Sequence, residues 1–248
     1  ILTPSADLPT AIKRLVWAKF LNAGQTCIAP DYILIQKDLV DEFIGLYKQF
    51  ASEMYFKAKE EIDAKVYGKI ISKKHFDRLE YLISDAVEKG ARINWGGKSD
   101  EKTSRIDPVV LTQLPKDAKI MEEEIFGPIL PIIPYNDLTE AIDYVNQKAK
   151  PLALYIFSKS DRNIKKIIKS TSAGGTCIND VLVHIANPKL PFGGVNHSGT
   201  GSSHGFFGFK NFSHERSVVT QRALDFNSLV YPPYTTKQWV LKLLRKLM

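Results

Sequence analysis

The chain has 248 residues, 44% of them hydrophobic and 25% charged, with a net charge of +7. That content can bury a sizeable core. The positive residues are spread through helix-like stretches such as NIKKIIKS instead of forming a stripe interleaved with aromatics, which argues against nucleic acid as a partner. Two cysteines, Cys27 and Cys177, are too few for a disulfide scaffold and point to free thiols in a reducing, cytoplasmic compartment. No apolar run reaches the ~18 residues of a membrane span, and no charged leader precedes an apolar stretch.

In chain order, ILT reads as the tail of a strand already in progress, so the chain is expected to be part of a longer protein. In LPTAIKRLVWAKFLN, residues Leu8, Ile12, Leu15 and Val16 share one helical face, with Gly24 as a stop. YILIQ reads as a buried strand. DLVDEFIGLYKQFASEMYF follows as a helix with Leu39, Phe43, Leu46 and Phe50 at helical spacing, and KIISKKHFDRLEYLISDAVEKG as another, closed by Gly90. RINW, PVVLT, ILPIIP, LALYIF and TCIN are short apolar runs. DLTEAIDYVNQ and SDRNIKKIIKS, each opened by capping residues, are amphipathic helices between the later ones. The alternation implies an α/β fold with a doubly wound, largely parallel sheet, whose sites form at the carboxyl ends of strands.

From residue 191, PFGGVNHSGTGSSHG reads as a loop packed against something. FKNFSHERSVVTQR (209–222) has strand composition and suggests an arm. The terminal TTKQWVLKLLRKLM sets Trp239, Val240, Leu243, Leu244 and Leu247 opposite Lys237, Lys242, Arg245 and Lys246, as a short basic amphipathic helix.

Three stretches could carry chemistry. In GQTCIAP, Cys27 stands where a helix has ended and a strand is about to begin. A thiol there can be activated by backbone N–H dipoles and attack a carbonyl, although composition alone favours an inert core cysteine. In MEEEIFGPILPIIP, one carboxylate could accept hydrogen bonds from sugar hydroxyls while Phe126 stacks on a flat ring, or the stretch is a solvated turn. In LPFGG, Phe192 lines a pocket mouth or belongs to the core. The five histidines have no spacing that aims two ligands at one ion, so no metal is expected. Phosphate-cradling glycine motifs are also missing.

Taken together and in order, FLNAGQTCIAPDYILIQ, PVVLTQL, MEEEIFGPILPI, PLALYIFS, GGTCIND and LPFGGVNHSGTGSSHG resemble the C-terminal, catalytic half of an aldehyde dehydrogenase, from the first residues to about residue 220. NAGQTCIAPDY, GPILPI, PLALY and FSHER resemble the class 3 and fatty aldehyde branch. The resemblance implies that Cys27 is the nucleophile, that Glu124 bonds the nicotinamide ribose of NAD or NADP, and that Phe126 packs beside it. With weaker support it places Phe192 and Phe212 near the aldehyde funnel. It also implies a homodimer assembled through residues 209 to 222, and a terminal helix that caps the substrate entrance.

The expected organisation is a catalytic domain over residues 1–205, an oligomerisation arm over 206–224 and a tail with the helix over 225–248. The family's dinucleotide-binding domain, general-base glutamate and oxyanion-hole asparagine are not among these residues. The expected activity is NAD(P)-linked oxidation of an aldehyde to a carboxylic acid, with the isolated chain inactive. Competing readings are a catalytically silent dimerisation fragment of the same fold, a cysteine hydrolase, and peripheral membrane contact by the terminal helix.

Overall fold

The computed structural model describes residues 1–57, 61–221, 231–233 and 238–247. Asp7 opens helix α1 (Leu8–Phe20): its carboxylate accepts the Thr10 N–H at 3.2 Å, and proline stands in the first turn where no intrahelical donor is lost. Strand β1 (Ile33–Gln36) leads to α2 (Val40–Tyr55) and a two-residue antiparallel pair, β2 (Phe56–Lys57) with β3 (Glu61–Ile62). Ser72 caps α3 (Lys73–Glu88) through the His75 N–H. Strand β4 (Arg92–Gly96), a small antiparallel pair β5 (Ser99–Asp100) and β6 (Arg105–Ile106), and β7 (Val109–Thr112) follow. Then come β8 (Ile129–Tyr135), α4 (Leu138–Gln147), β9 (Ala153–Ile156), α5 (Asp161–Ser170) and β10 (Gly175–Ile178), with α4 and α5 capped by Asp137 and Ser160.

β8 pairs in parallel with both β1 and β7, and β4 closes that edge antiparallel. β9 and β10 pair in parallel. Residues 1–3 join the two groups: Leu2 bridges Ile35 and Phe157 in parallel, its N–H donating to Leu34 O at 2.8 Å, while the Thr3 N–H donates to Phe157 O at 3.0 Å. The opening triplet thus takes the place of a strand through the two bridges of Leu2, and the order across the groups is β10, β9, residues 1–3, β1, β8, β7, β4. Side chains alternate across these strands. Leu2, Ile33 and Ile35 enter the larger core with α1, α2 and α3; Ile1 and Leu34 enter the smaller one with Ala141, Ile142 and Val145 of α4 and Ile167 of α5. Helices on both faces of a sheet parallel but for one edge make the doubly wound α/β class.

Two local expectations change. The fully buried stripe of α2 is Phe43, Tyr47 and Ala51, with Tyr55 at its end, whereas Leu39, Leu46 and Phe50 pack only partly buried. Phe20, Tyr47, Tyr55 and Tyr67 form a mutual aromatic cluster, and that cluster fixes which side of α2 turns inward. The strand expected over 209–222 is not formed among the described residues. Phe209 to Asn211 finish a short helix, α6 (Gly205–Asn211), and residues 212–221 are neither helix nor strand. Strand composition becomes a strand only where a sheet edge supplies ladder partners.

The chain divides into two units, Ile1–Asn211 and Phe212–Met248. In the second, the expected terminal helix is present as α7 (Gln238–Leu247), with Trp239 and Leu243 exposed. Residues 235–237 and 248 of that expectation lie outside the described set. No described helix is long and apolar enough to cross a membrane.

Candidate active site

After α1 the chain reverses through three left-handed residues, Asn22 (φ 53°), Ala23 (φ 53°) and Gly24 (φ 76°). Helix α1 therefore ends at Phe20, before the expected glycine stop. Gln25, buried, fastens the loop that follows. Its amide donates to Asn22 O at 2.9 Å and Lys69 O at 3.1 Å, and its carbonyl accepts the Ile71 N–H at 3.0 Å. With Gln25 saturated below, Cys27 stands exposed above.

The second motif meets the first backbone to backbone. A Cβ built on Gly24 would lie 2.2 Å from the Gly127 carbonyl oxygen, so GQTC and EIFGP approach as closely as glycine permits. Asp31 Oδ1, four residues after Cys27, accepts the Ile125 N–H at 3.0 Å. From the other side Arg78 of α3 donates to Glu124 O at 3.2 Å and to Ile125 O, and pairs with Glu123 at 3.2 Å; His75 Nε2 lies 2.7 Å from Phe126 O.

Cys27 and Glu124 line one cavity of about 490 Å³, with Tyr155, Leu152, His197 and Ser198 among its other walls. The Tyr155 hydroxyl donates to Ile28 O at 2.6 Å, which ties β9 to the cysteine loop. Phe126, at φ 49°, is not a wall of the cavity; its ring packs edge-on to His75 with centroids 5.9 Å apart. Phe192 also lies off the cavity wall, stacked on His204 at 5.7 Å and tilted against His184 at 5.9 Å, although His197 and Ser198 of the loop that follows it reach the wall. Phe212 opens the second unit and is 96% exposed.

Sequence reasoning assigned no role to Lys19, Asp31 or Arg78, three charged groups around the two motifs. Lys19, on the last turn of α1, is 1% exposed, and burial pushes its ammonium down to about 8 against the opposing charges of Asp31 and Glu124. Burial raises the Asp31 carboxyl, offset by Lys19, the Ile125 N–H and Arg78. Although much of Glu124 is solvent-accessible, its carboxyl is also raised, by desolvation first and Asp31 second, and held back by Arg78 and Lys19. Periodicity offered a signal for Lys19, because it falls on the Leu8, Ile12, Leu15 face. Arg78 had none, since its partners are remote in sequence.

The thiol–imidazole contact among the described residues belongs to the other cysteine. Cys177 Sγ lies 3.1 Å from His184 Nδ1, with the thiol raised and the imidazole lowered, both by burial. Both shifts favour a neutral pair in which the thiol donates to the ring.

The aldehyde dehydrogenase family model matches residues 1–218, and those residues include the whole site. The chain belongs to the aldehyde dehydrogenase family. It is 42% identical over 237 residues to the 4,4'-diaponeurosporen-aldehyde dehydrogenase of Staphylococcus aureus, covering 96% of this chain and 50% of that protein. It is 43% identical over 234 residues to the dimeric NADP-preferring aldehyde dehydrogenase of Canis lupus familiaris, covering 93% of this chain and 50% of that one. A solved structure described as the substrate-bound state of Staphylococcus aureus AldH superposes with a TM-score of 0.84 at 40% identity, over 98% of this chain and 52% of the other. The chain thus spans about half the length of these relatives. The two motifs that touch at Gly24 and Gly127 are the pair on which the family resemblance rests.

Proposed function

We propose that this aldehyde dehydrogenase chain supplies the nucleophile, and one carboxylate of the cofactor site, for NAD(P)-dependent oxidation of an aldehyde to a carboxylic acid. The observation that carries the reading is that Cys27 and Glu124, remote in sequence, line the same cavity. The Cys27 thiolate adds to the aldehyde carbon, giving a thiohemiacetal; loss of hydride leaves a thioester on Cys27, and water releases the acid. NAD or NADP, when bound, accepts that hydride. An acidic residue lining the same cavity as the nucleophile suits a ribose diol, so Glu124 would hold the nicotinamide ribose within reach of the thiohemiacetal. The saturated Gln25 and the paired Tyr155 hydroxyl hold the Cys27 loop rigid during this sequence.

The pairing of His184 with Cys177 supports this reading over a cysteine hydrolase, which needs its imidazole at the nucleophile. By the family resemblance Phe126 would pack beside the ribose site, although its ring contacts His75 and is not among the cavity walls. Phe192 lies on the stretch that sends His197 and Ser198 to the cavity wall, the side on which the aldehyde would approach. Residues 209–222, with Val218 and Val219 at 72% and 93% exposure, form the arm through which the enzyme dimerises, in keeping with the name of the canine relative. The test is absorbance at the reduced-nicotinamide band, with aldehyde and NAD or NADP, for the chain extended to the full length of its relatives. Cys27→Ala and Glu124→Gln are compared with the parent. The reading predicts loss of turnover for the first and a raised dinucleotide KM for the second; wild-type rates in Cys27→Ala would refute it.

A further inference from the structure

The turn from Glu124 to Phe126 lies between elements and is not part of the sheet, and it contains a non-glycine residue at φ 49°. Such backbone persists only where its surroundings hold it. Its three successive carbonyls are taken by two side chains one turn apart on α3. Arg78 donates to those of Glu124 and Ile125, and His75 Nε2 meets that of Phe126 at 2.7 Å. Arg78 Nε donates to His75 Nδ1 at 3.3 Å. That bond makes Nδ1 the acceptor, places the ring proton on Nε2 and so makes His75 the donor to Phe126 O. The guanidinium thereby organises all three contacts, and its Nη1, which serves Glu124 O, also pairs with Glu123. On the opposite side Asp31 accepts the Ile125 N–H.

We propose that Arg78, acting with His75, is a positioning residue that fixes the Glu124–Phe126 turn and so sets the place of Glu124 in the cavity wall that it shares with Cys27. That Glu124 meets a ribose rests on the function proposed above; the positioning itself does not. Lysine cannot replace arginine in this role, because a single ammonium lacks the planar fork that reaches the His75 ring and two carbonyls at once.

The test uses the 248-residue chain with Arg78→Lys, Arg78→Gln, His75→Gln and His75→Ala, read by amide hydrogen exchange and by carboxyl-carbon NMR titration of Glu124. Both Arg78 variants should speed exchange at Ile125 by about tenfold or more while Leu79 and Leu82 in the same helix keep their protection. The Glu124 carboxyl should titrate at higher pH in Arg78→Gln. His75→Gln, whose amide still donates, should retain protection that His75→Ala loses. Unchanged exchange at Ile125, or faster exchange spread evenly through α3 and β8, would overturn the proposal. A second arm measures the dinucleotide KM of Arg78→Lys in a form that includes a dinucleotide-binding domain and turns over. If Ile125 loosens and that KM is unchanged, the positioning role stands and the ribose assignment of Glu124 fails.

Discussion

Gly24→Ala probes the contact that joins the two motifs. The added methyl would sit 2.2 Å from the Gly127 carbonyl oxygen, 2.5 Å from its carbon and 3.1 Å from Lys19 O, all backbone atoms that cannot swing aside. A non-glycine residue at φ 76° costs roughly 1–2 kcal/mol, and forcing apart packed segments roughly 1–3 kcal/mol more. The total of about 2–5 kcal/mol is a large part of the ~5–15 kcal/mol that holds a folded domain together. Gly45→Ala is the control. Gly45 lies inside α2 with nothing within 4 Å of an added Cβ, so the same chemical change should stabilise by about 0.5–1 kcal/mol. Urea unfolding followed by circular dichroism reads both. Gly24→Ala as stable as the parent would mean that the loops do not touch as described, and the geometric link between Cys27 and Glu124 would fall with it.

Three further outcomes follow from the site. A thiol reagent under native conditions should label Cys27 rapidly and Cys177 only on unfolding, because Cys177 is 6% exposed and its thiol is engaged by His184; mass spectrometry of the peptides decides, and equal labelling would contradict this. Lys19 titrates near 8 when folded, against an ordinary 10.5. The unfolded chain therefore holds a proton that the folded chain has released, so stability rises with pH across that window and is lost again as pH falls toward 8. Lys19→Met should flatten the rise by up to about 3 kcal/mol, and parallel stability–pH curves for parent and variant would refute the buried ammonium. The 248 residues alone, given aldehyde and NAD, should show no sustained turnover, since a positioned general base contributes ~10²- to 10⁴-fold and none is assigned among them. Steady production of reduced nicotinamide by that chain would overturn this.

Much of the fold was legible because a parallel sheet buried on both faces writes its strands as continuous apolar runs. Ile33–Leu34–Ile35, Val109–Val110–Leu111 and Ile129–Leu130 stand out for that reason, and Asp137 and Ser160 mark helix starts by capping chemistry. Residues 209–221 have strand composition, but exposed valines and aromatics have it whether or not an edge is available, and no strand ladder forms over them among the described residues. At the site, the family resemblance and not local composition pointed to Cys27 and Glu124, and the groups packed around them were hidden. Arg78 and His75 act on carbonyls far along the chain, and no local pattern announces a backbone acceptor. Lys19 obeys the helical period while violating its polarity, a conflict that only the neighbouring carboxylates resolve.

The most direct test of the account is to trap the covalent step. A form of the enzyme that includes the dinucleotide-binding domain is mixed with aldehyde and NAD or NADP, quenched in acid within the first turnover, digested and analysed by mass spectrometry. The account predicts an acyl group on the peptide that contains Cys27, formed in step with reduced nicotinamide and absent when cofactor is omitted. Reduced nicotinamide appearing with Cys27 unmodified throughout, or an acyl group on Cys177 instead, would contradict it.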